Sequence, residues 1–228
     1  MSGESVLTQL AQRRGTASPG LAYEMAKRSI DIGLAVALII VTAPLLLLLW
    51  FLVRSTSAGP ALFRQERLGY DRRPFTMLKL RTMQMGRDDR IHRDCVTSQL
   101  SASQQTCPGN DGLFKVSADP RVTRLGGWLR HTSLDELPQL INVLRGEMSL
   151  VGPRPMLAWE AELLSAPLRR RFAVKPGMTG LWQVSGRSRL PMSRALELDV
   201  EYVARRSLLL DLVILARTGP AAFRGEAS

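Results

Sequence analysis

The stretch "IGLAVALIIVTAPLLLLLWFLV", Ile32 to Val53, decides the fold: 22 consecutive residues carry no charge. At about 1.5 Å per residue such a helix reaches about 33 Å, enough for the hydrocarbon core of a bilayer. The residues ahead of it are polar, and the run begins too late and lasts too long for a cleaved signal peptide. Working outward, Arg13, Arg14, Lys27 and Arg28 precede it, and Arg54, Arg64, Arg67, Arg72 and Arg73 follow. Cationic flanks stay on the cytoplasmic side, so both ends prefer the same compartment. Pro44 stands in mid-run, removes a backbone donor and bends the helix, and Thr42 beside it can re-bond a freed carbonyl. Together these facts suit a re-entrant helix over residues 23–54, which enters and leaves by one face. A kinked span is the alternative the pattern leaves open.

Composition sets the partners. The chain of 228 residues holds 31 Lys and Arg, 27 of them Arg, against 20 Asp and Glu, a formal charge of +11. That excess calls for an anionic partner: nucleic acid, an acidic membrane surface or a phosphate-bearing substrate. Arg is the side chain that holds phosphate oxygens bidentately. No aromatic-basic interleaving or recognition motif accompanies the charge, so nucleic acid is not expected. Cys95 and Cys107 match neither metal-ligand spacing nor a secreted disulfide framework. The length suits one domain plus one dedicated segment.

The remaining chain reads as mainly helical α+β, a compact domain over 55–217 with interfacial amphipathic helices. Residues 1–22 read as a disordered N-terminus and 218–228 as a tail. Ala61 to Met83 predicts extended structure or a hairpin leading to a basic patch at Lys79 and Arg81. Gln84 to Gly112 is polar and reads as a surface excursion. Asp119 to Gly146 has helical periodicity in two stripes, the first with Leu125, Trp128 and Leu129, joined by a turn at Arg130 to Ser133. Trp128 and Trp182 read as core. "VGPRP", Val151 to Pro155, is a rigid loop in which two prolines hold Arg154. Arg194 to Arg206 predicts a charged helix, and the following "SLLLDLVIL" is too short to span but suits a core or interfacial helix.

The chemistry concentrates in "HTSLDELPQL", His131 to Leu140. Ser133 followed by Glu136 has the spacing of a capping box, although Pro138 then demands that the helix start later or bend. Asp135 and Glu136 are adjacent and about 100° apart on a helix, so they do not face each other across a sugar as glycosidase acids do. An ionised carboxylate among cations can instead attack an electrophilic phosphorus, provided Mg²⁺ and fixed basic groups neutralise the phosphate.

At this point the chain resembles the bacterial sugar transferase family, in its small, catalytic-domain-only monotopic phosphoglycosyl transferase form. The resemblance rests on "KRSIDIG…TAPLLLL", "GPALFRQERLG", "FTMLKLRTM", "DPRVTRLGGWLRHTSLDELPQLINVLRGEMSLVGPRP" and "VKPGMTGLWQVSGRS", in order from residue 27 to about 217. It implies that Asp135 attacks the β-phosphate of a UDP-sugar, releasing UMP, and that polyprenyl (undecaprenyl) phosphate then takes the phosphosugar. It implies Glu136 as the assisting acid and Mg²⁺ held between Asp135 and the phosphates. Arg154 is implied as a phosphate or nucleotide contact, with Lys79, Arg81 and Arg130 as further phosphate cations. Gln183 and Arg187 fall in the family's late motif. The implied place is the cytoplasmic face of the bacterial inner membrane, as a monotopic protein in contact with membrane lipid, and the reading admits a homodimer. Ala43 departs from the Ser often found before the helix-breaking proline. Such an enzyme opens polysaccharide or glycoconjugate synthesis; the rival is a non-catalytic basic module that binds the membrane surface.

Overall fold

The computed structural model describes residues 20–84, 93, 96–97, 121–186 and 190–223. Cys95, Cys107, Arg187 and most of the N-terminal and 84–112 segments lie outside the described residues.

Helix α1 runs from Leu21–Thr56, 36 residues without interruption and with Pro44 inside. It starts two residues before the expected boundary. Thr42 Oγ1 does donate to a carbonyl, but to that of Leu38 at 2.7 Å. The carbonyl that Pro44 deprives of a donor belongs to Ile40, so Thr42 does not repair the break. Asp31, Ala35, Leu49 and Val53 are buried, and Ile39, Leu46 and Leu52 pack partly between them. These positions recur every three or four residues, so one continuous stripe of α1 lies against the rest of the protein. The opposite side is apolar and open: Ile40, Val41, Leu47, Trp50 and Phe51 are all at least half exposed.

Strands β1 (Leu62–Leu68) and β2 (Pro74–Leu80) form the expected hairpin, antiparallel with Leu62 opposite Leu80 and Leu68 opposite Pro74. Asp71 and Arg72 turn it with left-handed backbone, φ 53° and 58°. Helices α2 (Arg124–Thr132) and α3 (Gln139–Arg145) follow. Strand β3 (Ser149–Val151) pairs in parallel with β4 (Gly177–Thr179). The short α4 (Ala158–Glu162) lies between them, and α5 (Leu181–Val184), α6 (Met192–Arg205) and α7 (Leu208–Phe223) complete the chain. Helix α7 thus continues past the boundary expected at 217. Among the described residues the two strand pairs remain separate sheets, and the protein is mainly helical.

The main core collects Ala35 of α1, the hairpin, α3, β3, α6 and α7. A second cluster, Leu49, Val53, Ala61, Leu80 and Leu129, closes the far end of α1 over the hairpin base and α2. Helix α6 does not lie at an interface through its apolar stripe: Met192, Ala195, Leu196, Tyr202 and Val203 are consumed in the core. Helix α7 instead exposes Leu209 and Leu212. Two sequence expectations change. Val96, within the presumed surface excursion, is fully buried in the main core, and Trp128, read as core, is 49 % exposed.

Candidate active site

The acidic pair sits between two helices rather than on one. Thr123 caps the start of α2, accepting from the Gly126 amide at 2.9 Å. The helix ends at Ser133, whose φ of 56° places it in the left-handed region that terminates helices. Ser133 is therefore the C-cap of α2 and its side chain caps nothing, which overturns the capping-box expectation. Leu134–Glu136 then forms a single 3₁₀ turn, and Pro138 precedes α3 as its N-cap. The later helix start removes the difficulty of a proline inside the helix, because the first turn has no internal acceptor for that missing N–H.

In a 3₁₀ turn successive side chains diverge by about 120°. Glu136 faces a shallow cleft whose lining includes Arg67, Lys79, Gln139, Arg154 and Gln183. Asp135 is 7 % exposed and is not part of that lining. Lys79 Nζ donates to Glu136 Oε1 at 2.7 Å. Arg67, Lys79 and Arg154 thus share the cleft wall with Glu136. A wall carrying three cations suits a diphosphate.

Arg67 and Gln139 were not among the residues expected from sequence. Arg67 sits on the same face of β1 as Gln65, whose Oε1 accepts from both its Nε (3.1 Å) and its terminal nitrogen (2.7 Å). Its other nitrogen reaches the Pro155 carbonyl at 3.3 Å and lies 3.6 Å from Glu160. Burial, with Arg154 adding to it, pushes Arg67 down to about 10 while Glu160 and Glu136 oppose the shift. It stays charged at neutral pH.

Arg154 sits where the rigid-loop reading placed it, but the prolines do not hold the loop alone. The Gly152 amide donates to Thr179 and the Pro153 carbonyl accepts from Gly177, at 2.9 and 2.8 Å. This approach requires glycine, because a Cβ on Gly152 would meet the Lys175 carbonyl at 2.5 Å. The Arg154 carbonyl accepts from Arg171 at 2.8 Å, and that of Met156 from the Leu68 amide at 2.8 Å. With Arg67 on Pro155, every carbonyl from residue 153 to 156 is engaged.

The other candidates divide. Gln183 lines the cleft and donates to the Met178 carbonyl at 3.3 Å. Arg130 is half-buried in the last turn of α2, outside the lining. Arg81 does not join Lys79 in one basic patch. It is 5 % exposed and turns to the end of α1, donating to the Ala58 carbonyl (2.7 Å), the Ser57 carbonyl (2.8 Å) and Ser57 Oγ (2.7 Å). Arg187 lies outside the described residues. Among the described residues no three Asp, Glu, His or Cys side chains converge on a metal position.

The chain is similar to several known proteins. The chain is 41 % identical over 197 residues to the exopolysaccharide production protein ExoY of Sinorhizobium fredii, covering 86 % of this chain and 85 % of that one. It is 40 % identical over 220 residues to the UDP-glucose:undecaprenyl-phosphate glucose-1-phosphate transferase of Caulobacter vibrioides, covering 93 % and 75 %. The undecaprenyl-phosphate galactose phosphotransferase of Salmonella typhimurium is 36 % identical over 200 residues, 88 % of this chain but 41 % of its own length. Residues 22–225, nearly the whole described structure, match one family throughout, and the chain belongs to the bacterial sugar transferase family.

Proposed function

We propose that this protein transfers a phosphosugar from a UDP-sugar to polyprenyl (undecaprenyl) phosphate, as the first membrane step of polysaccharide or glycoconjugate synthesis. The observation that carries the reading is the cleft lined by Arg67, Lys79, Arg154 and Glu136, one residue from Asp135. The relatives named for undecaprenyl-phosphate chemistry support the same acceptor.

In this reading the three cations bind the diphosphate and spread the charge that develops on its oxygens, which is most of what phosphoryl transfer asks of a protein. Asp135 lies outside the cleft wall, so the reaction requires its carboxylate to turn into the cleft, where one oxygen bonds to the β-phosphorus. The bond from that phosphorus to the oxygen bridging to the α-phosphorus breaks, and its electron pair leaves with UMP. A phosphate oxygen of the lipid acceptor then bonds to the same phosphorus and the bond to Asp135 breaks, freeing the carboxylate. Asp135 would hold a Mg²⁺ ion, which would supply additional neutralisation of phosphate charge. Glu136, fixed by Lys79, orients the acceptor phosphate. One phosphoanhydride replaces another, so later steps pull the reaction forward.

The anchor fits the acceptor. Near its start, Lys27 pairs with Asp211 at 3.1 Å and Arg28 donates to the carbonyls of Val143 and Leu144. Near its end, Leu49 and Val53 pack on Ala61, Leu80 and Leu129 of the same globular unit. A bilayer placed between those ends would have to pass through the domain. The reading is therefore a monotopic protein on the cytoplasmic face of the inner membrane, with the exposed apolar side of α1 in one leaflet.

The test is UMP release from a panel of UDP-sugars with undecaprenyl phosphate in nanodiscs. Ping-pong initial rates and a phosphosugar trapped on Asp135 are expected, and Asp135→Asn is expected to abolish both. Intersecting initial-rate patterns with full activity in Asp135→Asn would reject the covalent route. Absence of UMP release with every sugar nucleotide would leave the membrane-binding module as the better account.

A further inference from the structure

The structure carries a buried ion pair that the mechanism above does not use. Arg171 and Asp199 are each 2 % exposed, and neither lines the cleft. One nitrogen of Arg171 bonds Asp199 Oδ2 at 2.5 Å and the Arg154 carbonyl at 2.8 Å. Asp199 stands in the apolar stripe of α6, among Ala195, Leu196, Tyr202 and Val203. A buried pair is a poor stabilising device, since apolar residues of similar volume often serve as well or better. Its position therefore calls for another account.

We propose that Arg171, held by Asp199, is a positioning residue that sets the place of Arg154 in the cleft; the inference rests on the phosphosugar-transfer reading and adds a residue pair to it. A loop of sequence Gly-Pro-Arg-Pro offers few backbone donors of its own, because its prolines have none. Its bonds to the β4 segment stop at Pro153, so the donor for the Arg154 carbonyl comes from elsewhere. Arg171 supplies the donor for the residue whose side chain reaches the substrate. Arg67 holds the next carbonyl, that of Pro155, in the same manner, against Glu160. Asp199 matters because a guanidinium buried without a counter-charge would turn toward water and leave the loop.

The charged groups around Asp199 are Arg171 from the turn at Leu168–Ala173 and Arg154 from the loop, with Glu160 of α4 beside Arg171. Burial pushes the Asp199 carboxyl up to about 6, against the pull of Arg171. Protonation below that value removes the counter-charge that holds the guanidinium.

The experiment uses the full chain in nanodiscs and the UMP assay. The double replacement Arg171→Met with Asp199→Leu removes both charges together. It is expected to keep the thermal midpoint while lowering kcat/KM for the UDP-sugar by about 10- to 100-fold, the range that misplacement of a binding group produces. Placed in an Arg154→Ala background, the same double replacement is expected to cost almost nothing more, because its effect passes through Arg154. Additive losses in that cycle, or unchanged kcat/KM in the folded double variant, overturn the proposal. If the double variant does not fold, Asp199→Asn decides: the acid limb of kcat/KM near pH 6 disappears in this variant, and a limb identical to wild type overturns the proposal. Wild-type protein that releases no UMP rejects the transferase reading itself, a separate outcome.

Discussion

Replacing Arg81 by Met separates a structural cation from a substrate cation. Sequence reading placed Arg81 among the phosphate contacts, whereas its guanidinium closes the end of the membrane helix through three hydrogen bonds to Ser57 and Ala58. Hydrogen bonds from a charged donor contribute about 1.5 to 3 kcal/mol each when both partners are sealed from water. Ala58 is exposed and Ser57 half-exposed, so water replaces part of what is lost and the total falls to about 2 kcal/mol. For a chain of this size that lowers the thermal midpoint by about 4 to 8 °C. The side chain does not reach the cleft, so KM for the UDP-sugar is expected to stay within about twofold of wild type at a temperature where the variant is folded. The measurement is a thermal melt in nanodiscs beside UMP-release kinetics. A KM raised tenfold or more with an unchanged midpoint would refute the placement of Arg81 and return it to the phosphate site.

Lys79→Met removes one of three cleft cations and leaves Glu136 without its partner, so kcat/KM is expected to fall at least about 10-fold; unchanged UMP-release kinetics would exclude Lys79 from the diphosphate contact. Gly152→Ala forces the strand carrying the Arg154 loop away from Lys175 and Gly177; a midpoint lowered by several degrees is expected on thermal melting, and full stability would mean the strands separate freely. Cysteines at Ser29 and Ser55, both exposed near opposite ends of α1, are both expected to resist an impermeant thiol reagent added to intact spheroplasts and to react after lysis; labelling of one end from outside would establish a span. The pH response of Asp199 runs in opposite senses for activity and stability. Its folded pKa of about 6 exceeds the ordinary 3.8, so its contribution to stability is fully present below 3.8 and is lost as pH rises through 6. The thermal midpoint of wild type relative to Asp199→Asn is therefore expected to improve from pH 7 to pH 4.5 while kcat/KM declines; parallel changes in both would contradict this.

Much of the architecture was legible because it follows from periodicity. The uncharged run gave α1, the charged stretch Arg194 to Arg206 gave most of α6, and Gly69 with Pro74 marked the hairpin. Arg154 was legible because flanking prolines restrict the backbone. The failures have local causes. Ser133 and Glu136 have capping-box spacing, but the end of α2 claims Ser133 in a left-handed conformation, which a pattern of residue types does not reveal. Arg67 was missed because "FRQERL" holds two arginines, and nothing in the string distinguishes exposed Arg64 from buried Arg67. Strand alternation pairs Arg67 with Gln65, the only local hint. Arg81 was misassigned because its partners are backbone carbonyls about twenty residues earlier, invisible to any motif. Arg171 and Asp199, 28 residues apart, acquire meaning only when α6 packs on the Arg154 loop.

The anchor and the cleft are joined by more than the chain that connects them. Lys27 and Tyr23 of α1 both bond Asp211 Oδ2, at 3.1 and 3.0 Å. Asp211 Oδ1 accepts from Tyr202, whose hydroxyl also lies 3.2 Å from the Val151 carbonyl. Burial and the neighbouring Asp211 push the Tyr202 phenol well up, so it keeps the proton it shares. On the other side of β3, the Leu150 amide donates to Asp31 of α1 at 3.1 Å. Helix α1 therefore grips β3 through Asp31 directly and through Asp211 and Tyr202 indirectly, three residues before Arg154. In the proposed reaction a lipid-borne phosphate would reach the cleft at a height set by the bilayer, so the cation that meets it would have to be fixed relative to α1. A flexible link between membrane helix and loop would let that height vary, and the buried polar contacts along β3 remove this freedom. This accounts for acidic side chains being buried at Asp31, Asp199 and Asp211 despite the desolvation each one costs: Asp31 and Asp211 fix strand to anchor, and Asp199 fixes loop to core.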